Sequence, residues 1–156
     1  MKRIKVFVLC FAFTCLLMGC QSTSIRPEVE RIIQRIGRSY TPGAVSYEGR
    51  ITHQDEQIEA LGNVATSDEL YQLAAADSVP MTRLAAFIAL MKQRPDIAKN
   101  LALMDIQSRA CVPALYGCDS YMESLANLRI EILQQEGRSY GLTKADSLAI
   151  DSCVLF

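Results

Sequence analysis

The chain carries a single imidazole, His53, and six cysteines, at positions 10, 15, 20, 111, 118 and 153. A Cys–His or Ser–His nucleophilic site would have to use that one histidine as its base. His53 lies at a loop-to-helix junction, far in sequence from every cysteine, and reads as an exposed residue of a helix start. Adjacent carboxylates occur at Asp55-Glu56 and Asp68-Glu69. Both pairs fall at expected helix starts, where the positive end of the helix dipole favours them, so no acid–base pair is needed to account for them. The sequence contains no GxGxxG, no P-loop, no GxSxG elbow and no zinc-type Cys/His spacing. The expectation is a protein that is not an enzyme and holds no metal and no cofactor.

Cys20 stands in a different context. Lys2, Arg3 and Lys5 precede an uncharged apolar run from Val6 to Met18, and Gly19-Cys20 closes it. That run is too short for a bilayer-spanning helix, which needs about 20 apolar residues, but it matches the apolar region of a secretory signal. The tetrapeptide Leu17-Met18-Gly19-Cys20 resembles the lipobox of bacterial lipoproteins, with Met where Ala or Ser is more usual. The resemblance implies a signal peptide at 1–19, cleavage before Cys20, a thioether-linked diacylglycerol on its sulfur and an acyl chain on its new amino group. Two or more acyl chains hold a protein on a membrane where one would exchange. Residues 20–26 then read as lipidated Cys and polar tether. Gln21 in place of Asp points, by the same resemblance, to the outer membrane facing the periplasm.

Processing leaves Cys111, Cys118 and Cys153, in a compartment where disulfides form. Cys111 and Cys118 enclose a short loop and are the preferred pair; Cys118–Cys153 and free buried thiols are the alternatives. The formal charge of −1 changes too. Without residues 1–19, 13 basic and 17 acidic side chains remain, a formal charge near −4. A mildly acidic surface argues against nucleic acid as a partner.

The remaining 27–156 is long enough for one domain. Pro27 suits a first helical turn, and Val29, Ile32, Ile33 and Ile36 form one apolar stripe, with Arg31, Arg35 and Arg38 on the other side. Residues 39–50 read as a loop, and 53–64 as a helix with Ile58 and Leu61 inward. Thr66-Ser67-Asp68-Glu69 is a capping box. The helix it opens breaks at Asp77-Ser78-Val79-Pro80, and Pro80 begins another with Leu84, Phe87, Ile88 and Met91 inward. Ala85, Ala86 and Ala89 leave that helix apolar nearly all round, so neighbours must sandwich it. Further helices are expected at 96–107, through Ile97, Leu101 and Met104, and at 120–136, through Tyr121, Leu125, Leu128 and Ile132. Thr143 with Asp146 opens a last short one. No stretch alternates with period two for long, so the expected class is all-α.

Residues 66–92 resemble a HEAT repeat through Asp77, Pro80, Arg83, Ala86, Ala89 and Leu90, departing from the signature at Thr82, where Val is typical. A wider stretch, from Tyr47 to Leu90, is similar to a bacterial HEAT-like family, with Tyr47-Glu48-Gly49, the cap at Thr66 and Gly117-Cys118; the resemblance attaches no activity to it. It implies a short HEAT-like helical-hairpin solenoid of about five to seven helices. In function, the sequence points to a membrane-anchored scaffold or adaptor binding another protein. A lipidated inhibitor, such as an immunity protein neutralising a toxin in the periplasm, is the alternative. Tyr40, Tyr47, Tyr116, Tyr121 and Arg138 are contact candidates by residue type.

Overall fold

The computed structural model describes residues 24–41, 53–116, 119–141 and 143–146. They form six α-helices and one antiparallel hairpin: α1 (Pro27–Ile36), α2 (His53–Val64), α3 (Ser67–Ala76), α4 (Pro80–Gln93), α5 (Pro95–Met104), β1 (Cys111–Tyr116), β2 (Asp119–Ser124) and α6 (Leu125–Glu136). A 3-10 turn at Gly137–Tyr140 follows α6. The described part is thus mostly helical, as expected, with a small sheet in addition.

Proline starts three of the helices, Pro27, Pro80 and Pro95 each occupying a first turn where a missing N–H costs nothing. At α3 the capping box is complete. The Thr66 hydroxyl accepts from the Glu69 amide at 3.3 Å, and the Glu69 carboxylate accepts from the Thr66 amide at 2.9 Å. Gly37, at φ 88° and ψ −173°, ends α1 in a conformation that only glycine adopts readily.

Helix α4 is the centre of the domain. Leu84, Ala85, Ala86, Phe87, Ala89, Leu90 and Met91 are all fully buried, so the helix is covered on nearly every side. Around it pack α1, α2, α3, α5, α6, β1 and the 3-10 turn. Burying each of its large apolar side chains contributes about 1.5–3 kcal/mol. Its alanines let the neighbours approach; an added Cβ at Gly62 of α2 would sit 3.6 Å from that of Ala89.

Two expectations need correction here. The expected helix at 120–136 begins only at Leu125, and residues 119–124 are strand β2, paired with β1 from Cys111↔Ser124 to Tyr116↔Asp119. Tyr121 matched the helical spacing of Leu125 and Leu128 by coincidence. Ser124 marks the true start, its hydroxyl accepting from the Asn127 amide at 3.5 Å. In α5 the inward residues are Ala98, Leu101 and Ala102, whereas Met104 is 78% exposed. The helix stops at Met104, and the next residue, Asp105, is turned toward two arginines of the core.

The outer edge of β1 is tied to the segment that follows α1. The Tyr40 amide donates to the Pro113 carbonyl at 2.7 Å, and the Leu115 amide donates to the Tyr40 carbonyl at 2.8 Å. Val112 and Ala114 are buried, while Asp119, Ser120, Tyr121 and Met122 of β2 are exposed.

Candidate functional site

Two charged clusters hold the helices, and both close the open ends of neighbouring elements. The first is centred on Asp105, in the turn after α5. Its Oδ2 accepts from Arg83 Nη2 of α4 at 2.6 Å and from Arg129 Nη1 of α6 at 2.5 Å. Both guanidiniums also reach the carbonyl of Ala74 in the last turn of α3, Arg83 through Nε and Arg129 through Nη2. Carbonyls at a helix end lack partners within the helix, and cations are favoured there. One carboxylate and one carbonyl thereby join four helices.

Arg129 is wholly buried and stacks over Phe87, its guanidinium carbon 5.2 Å from the ring centroid. Burial pushes its guanidinium down to about 10, with Asp105 working against that shift, so it stays charged at neutral pH. Its Nε has no hydrogen-bond partner among the described residues. The cluster holds two cations and one anion, and no nucleophile or acid–base pair lies in it. What it does is fix the packing of α3, α4, α5 and α6.

The second cluster fastens the entry of the chain. Arg26 donates to Glu69 through Nε at 2.9 Å and Nη2 at 2.8 Å, and to the Val64 carbonyl, the last of α2, through Nη2 at 2.6 Å. Its backbone amide adds a bond to Glu69 at 3.3 Å. Glu69 is buried, and the Arg26 guanidinium, with the Thr66 amide and hydroxyl assisting, draws its carboxyl down to about 2. The carboxylate that caps α3 is therefore also the receptor for Arg26. Ile25 packs against the core as well. The expected tether of 20–26 is consequently shorter than its composition indicates, because its last two residues belong to the domain.

Side-chain amides close further ends. Gln54 Nε2 donates to the Ile36 and Ser39 carbonyls after α1, at 3.1 and 2.7 Å. Gln93 Nε2 donates to the Gly62 carbonyl in the last turn of α2 and to the Ala65 carbonyl just after it, at 2.5 and 3.1 Å.

The residues singled out in the sequence fall as follows. Asp77 accepts from the Val79 amide at 2.7 Å and so shapes the turn before Pro80. Arg83 reaches Asp105 of α5's end, and Ala86, Ala89 and Leu90 are fully buried. Cys111 is exposed and free at the start of β1; Cys20, Cys118 and Cys153 lie outside the described residues, as does Tyr47. His53 is exposed, its Nδ1 3.6 Å from Glu56 of the same helix. Tyr40 is half-buried against the outer edge of β1, Tyr121 is 53% exposed, Tyr116 ends β1 and Arg138 is exposed on the 3-10 turn. These contact candidates are spread over several elements. Thr143 and Asp146 form the second capping box, and Asp146 also binds Lys99 of α5.

Among the described residues no group of three or more His, Cys, Asp or Glu side chains is placed to hold a metal ion, and no helix is long and apolar enough to cross a membrane. Sequence reasoning missed Arg26, Asp105 and Arg129. For Arg129 a signal was present: it lies four residues from both Leu125 and Leu133, on the apolar stripe of its helix. Comparison with known proteins yields no match to this chain among family models, curated proteins or solved structures.

Proposed function

We propose that this chain is a lipid-anchored protein of the bacterial cell envelope whose helical domain binds a protein partner. The observation that carries the binding reading is the outer edge of the hairpin. Strand β2 is paired on one side only among the described residues, and it presents Met122, 65% exposed, and Tyr121, 53% exposed. Adjacent strand residues point to opposite faces, so Tyr121 and Met122 carry apolar surface into solvent on both faces of the hairpin. An open strand edge with exposed apolar side chains is a recurrent docking element for an extended segment of another protein.

The anchor rests on the lipobox at Leu17-Met18-Gly19-Cys20. It brings with it the covalent diacylglycerol and amide-linked acyl chain on Cys20, and a place on the outer membrane facing the periplasm. The HEAT-like reading of the helices rests on the turn made by Asp77, the helix start at Pro80 and the close packing of Ala86, Ala89 and Leu90.

The test is affinity capture of the lipidated protein from cross-linked native envelopes, with the captured proteins identified by mass. Resident envelope proteins that are lost from the Tyr121→Asp and Met122→Asp variants are the expected result. A single stoichiometric secreted partner would instead mark an inhibitor. A capture unchanged by either substitution removes the hairpin from the interface. Replacing Cys20 with Ser is expected to abolish lipid labelling, and persistent labelling would remove the anchor.

A further inference from the structure

We infer that the outer face of α1 is the surface the domain turns toward the membrane, with Arg31, Arg35 and Arg38 binding anionic lipid headgroups. The inference rests on the anchor at Cys20 proposed above and on how few residues separate it from the start of the packed domain. Ile25 is the first of the described residues packed on the core, and Arg26 is clamped by Glu69 and the Val64 carbonyl. Five residue steps lead from Cys20 to Ile25, and at ~3.4 Å each they reach about 17 Å at full extension. Helix α1 begins two residues later. Arg31 and Arg35 lie roughly 6 and 12 Å along its axis from Pro27. A tether this short, fixed at the helix entry, leaves α1 among the elements nearest the bilayer.

The face that α1 presents suits that position. Val29 and Ile36 are buried, with Ile32 and Ile33 packed against the core, so the opposite side is open. That side carries Arg31, Gln34 and Arg35, all exposed, and Arg38 just beyond the helix end. Arg31 donates only to the Pro27 carbonyl, at 3.3 Å, and Arg35 and Arg38 have no carboxylate partner among the described residues. Glu28 and Glu30 are confined to the first turn. A run of three unneutralised arginines is an exception on a mature chain with an acidic excess. Surface potential from anionic lipid acts over about 8–10 Å, a range the domain can enter because about 17 Å is the longest reach of the tether.

The chain contains no tryptophan, so Gln34→Trp places a single fluorophore between the three arginines. The lipidated variant, purified from membranes, is reconstituted into phosphatidylcholine vesicles with or without phosphatidylglycerol, each containing brominated lipid. Expected is a blue-shifted emission quenched severalfold more in the phosphatidylglycerol vesicles. Reversal of Arg31, Arg35 and Arg38 to Glu is expected to remove the difference, with the helical circular dichroism unchanged. Equal quenching in the two vesicles overturns the inference, as does equal quenching of a Met104→Trp fluorophore at the exposed end of α5, because the domain would then have no preferred face. Burial of the fluorophore by an added envelope protein, without a response to lipid, overturns it too. Intact mass separates the two readings. A mature chain without acyl chains removes the anchor and this inference together; an acylated chain with unquenched emission removes this inference alone.

Discussion

Arg129 Nη1 lies 2.5 Å from Asp105 Oδ2, with the guanidinium wholly buried and the carboxylate at the rim of the core. Arg83 shares the same oxygen. The carboxylate is therefore shared by two cations, and the consequences of removing either side are unequal.

Asp105→Ala leaves a buried cation uncompensated beside a second one and is expected to cost about 3–5 kcal/mol. Arg129→Met keeps most of the volume against Phe87 and leaves Asp105 paired with Arg83, so it is expected to cost less, under about 2 kcal/mol. Urea unfolding of the two variants checks the order. Equal losses would mean that Asp105 contributes no charge compensation to Arg129.

Glu69 sets an acid limit on stability. Its carboxyl is held at about 2 in the folded chain, below the ordinary 4.5. A lowered carboxyl favours the folded state wherever it is ionised and the unfolded one also is. Its contribution is therefore complete above about pH 4.5 and is lost as pH falls toward about 2. In Glu69→Gln the melting temperature is expected to fall at neutral pH and to approach that of the unaltered chain at the acid end. Asp146, also drawn to about 2 by Lys99, titrates in the same window and remains in both proteins, so the difference isolates Glu69.

Two glycines should respond in opposite ways to alanine. Gly37 has open space where a Cβ would go, but its backbone is strained for any other residue, so Gly37→Ala is expected to cost of order 1–3 kcal/mol. Gly62 lies within α2 with an ordinary 3.6 Å contact to Ala89 awaiting a Cβ. Gly62→Ala is expected to be neutral or to stabilise by up to about 1 kcal/mol. Thermal melts of the two variants measure both.

Cys111 heads β1 opposite Ser124, and its thiol is exposed and free. Cys118, the partner preferred from the sequence, lies outside the described residues. Alkylation of the native protein followed by mass mapping is expected to label Cys111, the exposed thiol. A peptide linking Cys111 to Cys118 would instead establish the disulfide.

The α3–α4 unit was legible residue by residue, because each of its signals acts within a turn of the chain. Thr66 caps three residues ahead, Pro80 sets its own φ, and the apolar residues of α4 recur on every side. The hairpin was less so. Residues 119–124 alternate too weakly to mark a strand, since both faces of β2 are solvated near its tip and only the ladder with β1 holds it extended.

The positions of α1 to α4, the cap at Thr66 and the buried character of α4 follow from the sequence by itself, because propensity, capping and periodicity are local properties of the chain. Only the tertiary structure decided that Asp105 draws Arg83 and Arg129 together and that Arg26 pairs with Glu69. Each of those pairings needs partners brought from distant elements, and an arginine's partner is set by which carboxylate or carbonyl the packed core leaves within its reach.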